Sequence, residues 1–176
     1  MSDISVAFQN NLIKEITMVN KVAWITGAGS GIGEASAIKL SEEGFTVVLS
    51  GRTKETLDTV ASKCKGQVSV KPLDVSNHED VKAVFEEIIS EYGRVDVLVA
   101  SAGLNAKNRN WHNVSEEDFD QIVKIDLNGV FYTNRLVLKK MKEQRGGLII
   151  NISSWAGKYV TTLTGPAYTA AKHGVN

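Results

Sequence analysis

Cysteine is almost missing from this chain. Cys64 stands alone in 176 residues, so no internal disulfide can form and a disulfide-stapled scaffold is excluded. Histidine is scarce as well, and three scattered copies with one cysteine offer no Cys/His cluster for a metal. Neither sign of charge is in excess. Lys plus Arg and Asp plus Glu number 20 each, so no net field draws the chain to nucleic acid or to an anionic membrane. Residues 1–17 lack the basic start, long apolar run and small-residue cleavage site of a signal peptide, and they are not a membrane span. The single cysteine makes a reducing, cytoplasmic setting the expectation.

What is present suits one globular domain with a substantial core: 43% hydrophobic and 23% charged residues. Residues 1–17 read as an extension in which Ile4, Phe8, Leu12 and Ile16 recur every four positions, a period that allows a short amphipathic helix. The domain proper is expected over 18–176. Met18 is the expected functional start, because the chain runs from it straight into the first strand.

The most informative stretch is VAWITGAGSGIG, residues 22–33. Five residues rich in β-formers break into a run with glycine at every second position from Gly27 to Gly33, and a helical pattern follows at once. Strand, glycine turn and helix start form an anion site, because glycine lets a phosphate approach the unpaired N–H groups of the first helical turn. Such a turn either binds a dinucleotide or is merely a turn. The G-x-G-x-x-G spacing fails at Ile32; the spacing that fits is Gly27, Gly31, Gly33.

Downstream, apolar periods alternate between helix and strand, as expected of a parallel sheet covered on both faces. Helices are expected over 31–43, with Ile32, Ala35, Ile38 and Leu40 against the sheet, and over 54–64. A third should run to residue 92, opened by a Ser76/Glu79 capping box and packed through Val81, Val84, Phe85 and Ile88. Strands are expected over 45–50, 68–72, 95–101 and 147–153. Residues 104–113 form a polar loop whose Trp111 either borders a substrate cleft or packs locally. Ser115 and Asp118 cap a long helical stretch to about residue 143, broken near 126–129. Pro166 suits the first turn of a last helix, which places Tyr168 and Lys172 four apart on one face.

Two positions carry chemical meaning by themselves. Beyond the second strand a dinucleotide fold uses an acidic residue for NAD or an arginine for the 2′-phosphate of NADP, and here stand Gly51 and Arg52. Arg52 either reads that phosphate or is a surface arginine. A phenol ordinarily titrates near pKa 10, so acid–base work near neutrality needs a shift of roughly three units, or about 4 kcal/mol. An ammonium one helical turn away acts in that direction.

The ordered series Thr26-Gly27, Gly31-Ile32-Gly33, Arg52, Asp74-Val75, Ala102-Gly103, Ser154, Tyr168 and Lys172 resembles the short-chain dehydrogenase/reductase family, from residue 19 to the last. That resemblance implies a Rossmann-like, doubly wound α/β fold with strand order 3-2-1-4-5. It implies NADP(H), with NAD as the alternative, held by Gly27, Ser30, Gly31, Ile32, Gly33 and Arg52. Asp74 would accept from the adenine amino group, the Val75 N–H would meet a ring nitrogen, and Ala102 and Gly103 would let the cofactor approach.

For catalysis the resemblance implies Tyr168 as general acid/base, Ser154 holding the substrate oxygen, and Lys172 assisting the tyrosine and binding the nicotinamide ribose. Ser154 is preferred to Ser153 because it stands two residues before Ala156-Gly157. Where the family carries an asparagine that supports the proton-relay water, this chain has Asp126, which is either part of the relay or a helix-kink residue. The expected reaction is hydride transfer between nicotinamide and a carbonyl or secondary alcohol. The rival is a non-catalytic NADP-binding module. The family continues with two further strands, so a fragment with an apolar edge at strand five is expected, and a homodimer or homotetramer for the full-length form.

Overall fold

A computed structural model describes residues 21–160 and 163–176. The extension over 1–17, its four-residue period and the Met18 start lie outside the described residues. Five strands form one parallel sheet: β1 (Val22–Thr26), β2 (Thr46–Ser50), β3 (Val68–Val70), β4 (Val97–Ala100) and β5 (Leu148–Asn151), in the order β3-β2-β1-β4-β5. Six α-helices connect and cover them: α1 (Gly31–Glu42), α2 (Lys54–Ala61), α3 (His78–Tyr92), α4 (Glu116–Val123), α5 (Gly129–Gln144) and α6 (Pro166–Val175).

The period of two along β1 decides where the core lies. Val22 and Trp24 face one side and pack with Val48, Leu98, Val81, Val84, Ile88, Val137 and Met141; Ala23 and Ile25 face the other, with Val47, Leu49, Ala37, Leu57 and Val60. Each large apolar side chain removed from water in these layers contributes roughly 1.5–3 kcal/mol. Trp24 is fully buried, and its indole N–H donates to Ser50 Oγ at 3.0 Å, so the central strand buries no unpaired indole N–H. At the far edge β5 leaves Leu148 and Ile150 exposed. No helix among the described residues is long and apolar enough to cross a membrane.

Several local expectations are corrected. The face of α1 that meets the sheet is Gly33, Ala37 and Ser41, while Ile32 is 58% exposed and Ala35 lies outside. Small residues four apart let this helix sit close against the glycine turn, and large apolar ones on that face would hold it off. Ser76 and Glu79 make no capping box. Ser76 Oγ donates to Asp74 Oδ1 at 2.7 Å, and Asn77 caps α3 by accepting from Glu79 N–H at 3.0 Å and Asp80 N–H at 3.4 Å. An Asp that turns the chain on itself moves the helix start one residue along.

Helix α2 stops at Ala61 rather than residue 64; β4 begins at Val97, and β3 is three residues long. The long helical stretch is divided, as its broken pattern suggested, by a π turn at Lys124–Asn128 between α4 and α5. Ser115 caps it as expected, its Oγ accepting from Asp118 N–H at 3.0 Å. Trp111 is neither a packing anchor nor part of the cleft: it is 80% exposed.

Candidate active site

Parallel strands end together, and where the order reverses between β1 and β4 the flanking chain segments diverge and leave a crevice. There lies a cleft of about 820 Å³. One wall is the glycine turn, with Gly27, Ser30, Gly31 and Ile32 on its surface. Gly27 adopts φ +64°, and a Cβ there would sit 2.7 Å from Ala102 Cα, so the turn after β1 and the end of β4 are packed backbone to backbone. Gly33 does not line the cleft but lies beneath it, where a Cβ would strike the carbonyl oxygen of Gly27. Gly33→Ala should therefore cost about 1–3 kcal/mol in denaturant unfolding and weaken nucleotide binding. Unchanged stability would show that the turn relaxes freely.

The first turn of α1 opens on this wall. Ser30 precedes it in extended conformation and its side chain makes no capping bond, so N–H groups at the helix start open on the cleft. Exposed Arg52, after β2, lines the same cleft, as do Asp74 and Val75 after β3. Ser76 N–H and Oγ both donate to Asp74 Oδ1, which fixes the carboxylate and leaves its second oxygen outside that turn. Ala102 and Gly103 follow β4, with Ala102 N–H donating to Thr26 Oγ1 at 3.3 Å.

The opposite wall is built by β5 and α6. Tyr168 and Lys172 project from one face of α6 into the cleft, and Lys172 Nζ lies 5.4 Å from the centre of the Tyr168 ring. Lys172 is almost fully buried and donates to the Ile152 carbonyl at 3.1 Å. Ser154 Oγ accepts from Ala156 N–H at 3.1 Å, a bond that does not spend the hydroxyl proton. Ser153 also lines the cleft, but its hydroxyl is directed at the Lys172 carbonyl, 3.5 Å away.

Asp126 occupies the π turn and is wholly buried. Its Oδ1 accepts from Leu104 N–H at 2.9 Å. Its Oδ2 stands 3.3 Å from Lys172 Nζ, near enough for an ion pair but not aligned for a hydrogen bond, and among the described residues it has no hydrogen-bond donor. Burial pushes the Asp126 carboxyl above its ordinary range, and the Leu104 N–H and the Lys172 ammonium offset only part of that rise. The residue is thus more than a kink: it ties the end of β4 to α6.

Every expected site residue except Gly33 therefore borders one cleft. Sequence reading missed Asn105, Arg109 and Thr164, which border it too. Asn105 Nδ2 donates to the Thr164 carbonyl at 3.1 Å, and Arg109 donates through Nε to Ala106 O at 3.1 Å and through Nη1 to Leu163 O at 3.5 Å. Only this folding of loop 104–113 onto 163–165 brings them in; their spacing carries no signal.

A parallel sheet in the order β3-β2-β1-β4-β5, with a glycine turn at a helix start facing a phenol and a buried ammonium across one crevice, puts the chain in the Rossmann-like α/β class. Comparison with known proteins agrees with that class. Residues 21–176 match the family described as short chain dehydrogenase, and the chain belongs to it. It is 38% identical over 142 residues to the 3-oxoacyl-(acyl-carrier-protein) reductase FabG of Thermotoga maritima, an alignment covering 79% of this chain and 57% of that protein. The chain thus spans little more than half the length of that relative. Among solved structures it is similar to levodione reductase, with TM-score 0.85, 33% identity, and coverage of 89% of this chain and 62% of the other. A metagenomic short-chain oxidoreductase in complex with NADP superposes with TM-score 0.83 at 34% identity, covering 89% of this chain and 72% of the other.

Proposed function

We propose that this domain binds NADP(H) and that the protein transfers hydride between the nicotinamide and a carbonyl or secondary alcohol, a ketone or a 3-oxoacyl compound. One observation carries the reading: the Lys172 ammonium lies 5.4 Å from the centre of the Tyr168 ring, in the same cleft as the Gly27–Gly31 turn and Ser154. The residues present fit a dinucleotide, since the α1 start offers N–H groups and the close-packed glycines leave the backbone accessible. When bound, the cofactor supplies or accepts the hydride.

The chain's own residues do the rest. Ser154 donates a hydrogen bond from its hydroxyl to the substrate oxygen, keeps its own proton and orients that oxygen. Tyr168 gives that oxygen its proton in reduction and takes one in oxidation. Lys172 favours the phenolate and, with Asp126, fixes the floor of the site. Asp74 and Val75 contact the adenine, Ala102 and Gly103 admit the nicotinamide half, and Arg52 reads the 2′-phosphate. NADP is favoured over NAD because Gly51 cannot bind a ribose diol through a carboxylate and Arg52 can pair with a phosphate.

The test is nicotinamide absorbance with a series of ketones and 3-oxoacyl thioesters, beside thermal stabilisation by NADPH and NADH. Oxidation of NADPH supports the reading. Stabilisation by NADPH without turnover on any carbonyl identifies a binding module instead. In the same assay Arg52→Asp should lower the NADPH-to-NADH affinity ratio by about tenfold to a hundredfold, the scale of one charge-assisted phosphate contact. An unchanged ratio would remove Arg52 from the site.

A further inference from the structure

Asp126 and Lys172 are the only buried charged side chains among the described residues, and they face each other at 3.3 Å. A bare ammonium beside a phenol stabilises the phenolate as a monopole would. With a carboxylate 3.3 Å from it, the same ammonium presents the weaker, faster-decaying field of a dipole. We propose that Asp126 is a positioning residue that balances the charge of Lys172, so that Tyr168 faces a neutral ion pair rather than a lone cation and the site operates at higher pH than an uncharged residue at 126 would allow. The inference rests on the reading of Tyr168 as the acid–base group.

Among the described residues nothing else in contact competes for that role. Helix α4, packed on α6, carries the exposed Glu116, Glu117 and Asp120 and the half-buried Asp118. The π turn adds exposed Lys124, and the short 3-10 turn Trp155–Gly157 is followed by exposed Lys158, whose Nζ lies over the Tyr159 ring. On α6 itself, the His173 ring is hydrogen-bonded to the Thr169 carbonyl. Arg52, Asp74 and Arg109 border the cleft without an ion pair to Lys172. The geometry also separates two jobs of the carboxylate. Its Oδ1 holds the Leu104 N–H and its Oδ2 meets the ammonium, so Asp126→Asn can keep the first contact while deleting the charge.

The experiment compares wild type, Asp126→Asn and the smaller Asp126→Ser, each with and without Tyr168→Phe, in the ligand-free protein. The phenolate absorbance that disappears with Tyr168→Phe belongs to Tyr168. Its onset should move to lower pH by about one unit in both Asp126 variants, a tenfold change in ionisation. The alkaline limb of NADPH-dependent turnover, where the proton-giving form of Tyr168 is lost, should move the same way. An unmoved onset, or one moved to higher pH, overturns the proposal; so does failure of both variants to fold, which would make Asp126 a structural tie alone. Because the absorbance is read without cofactor, absence of turnover on every carbonyl would count against the functional reading and leave this result legible.

Discussion

Tyr168→Phe is expected to lower turnover by about two to four orders of magnitude while leaving the fold and NADPH binding intact, the usual contribution of a positioned acid–base group. The substitution deletes one oxygen and keeps the ring. That ring packs with Ala106, Ile122, Ala167 and Ala171, contacts that phenylalanine can retain, so thermal unfolding should change little. Lys172 keeps both Ile152 O and Asp126, and the nucleotide wall across the cleft is untouched. Steady-state rates with any carbonyl that the wild type reduces, read beside NADPH-induced thermal stabilisation, decide the matter. Full turnover in the variant would sink the assignment of Tyr168.

Lys172→Met should cost about 3–5 kcal/mol of stability at neutral pH, because it leaves the buried Asp126 carboxylate without its cation. Methionine is of similar length and apolar, so lost packing contributes little and lost charge dominates. The loss should shrink on acidification. Asp126 already has its carboxyl raised by burial, so the native state holds that proton more tightly than the unfolded chain does. Such a group contributes stability that is fully present below its unfolded value and is lost as pH rises through its folded one. Removing the ammonium, one of the influences that pull the carboxyl back down, extends the window upward. Denaturant unfolding at about pH 5 and about pH 7 measures this: the wild-type-to-variant gap should be smaller at the acidic value. A gap independent of pH would mean that Asp126 is solvated once Lys172 is gone.

The parts of the site legible in the sequence were those whose geometry is local. The glycine turn, the Pro166 start of α6 and the four-residue spacing of Tyr168 and Lys172 each depend on a few consecutive residues. The π turn left a trace as a broken helical pattern around Asp126. What misled was also local. Ile32 and Ala35 looked like part of the buried stripe of α1, yet they are exposed: Leu40 packs on the core as expected, while closeness to the glycine turn selects Gly33, Ala37 and Ser41 as the buried face. Ser76 looked like a cap until Asp74 took its hydroxyl. Arg109 and Asn105 gave no sign at all, since their place depends on where the 163–165 segment folds back.

From the order of residues alone come the alternating α/β plan, the glycine turn at a helix start and the pairing of a phenol with an amine on one helical face, because each follows from backbone propensity over one or two turns of chain. Tertiary structure alone decided that the amine is shared: Leu104 lies 22 residues before Asp126, and with Ile152 it arrives from a different strand end. The charge felt by a buried group is set by whichever distant atoms folding brings within a few ångströms, in a medium too poorly polarisable to screen them.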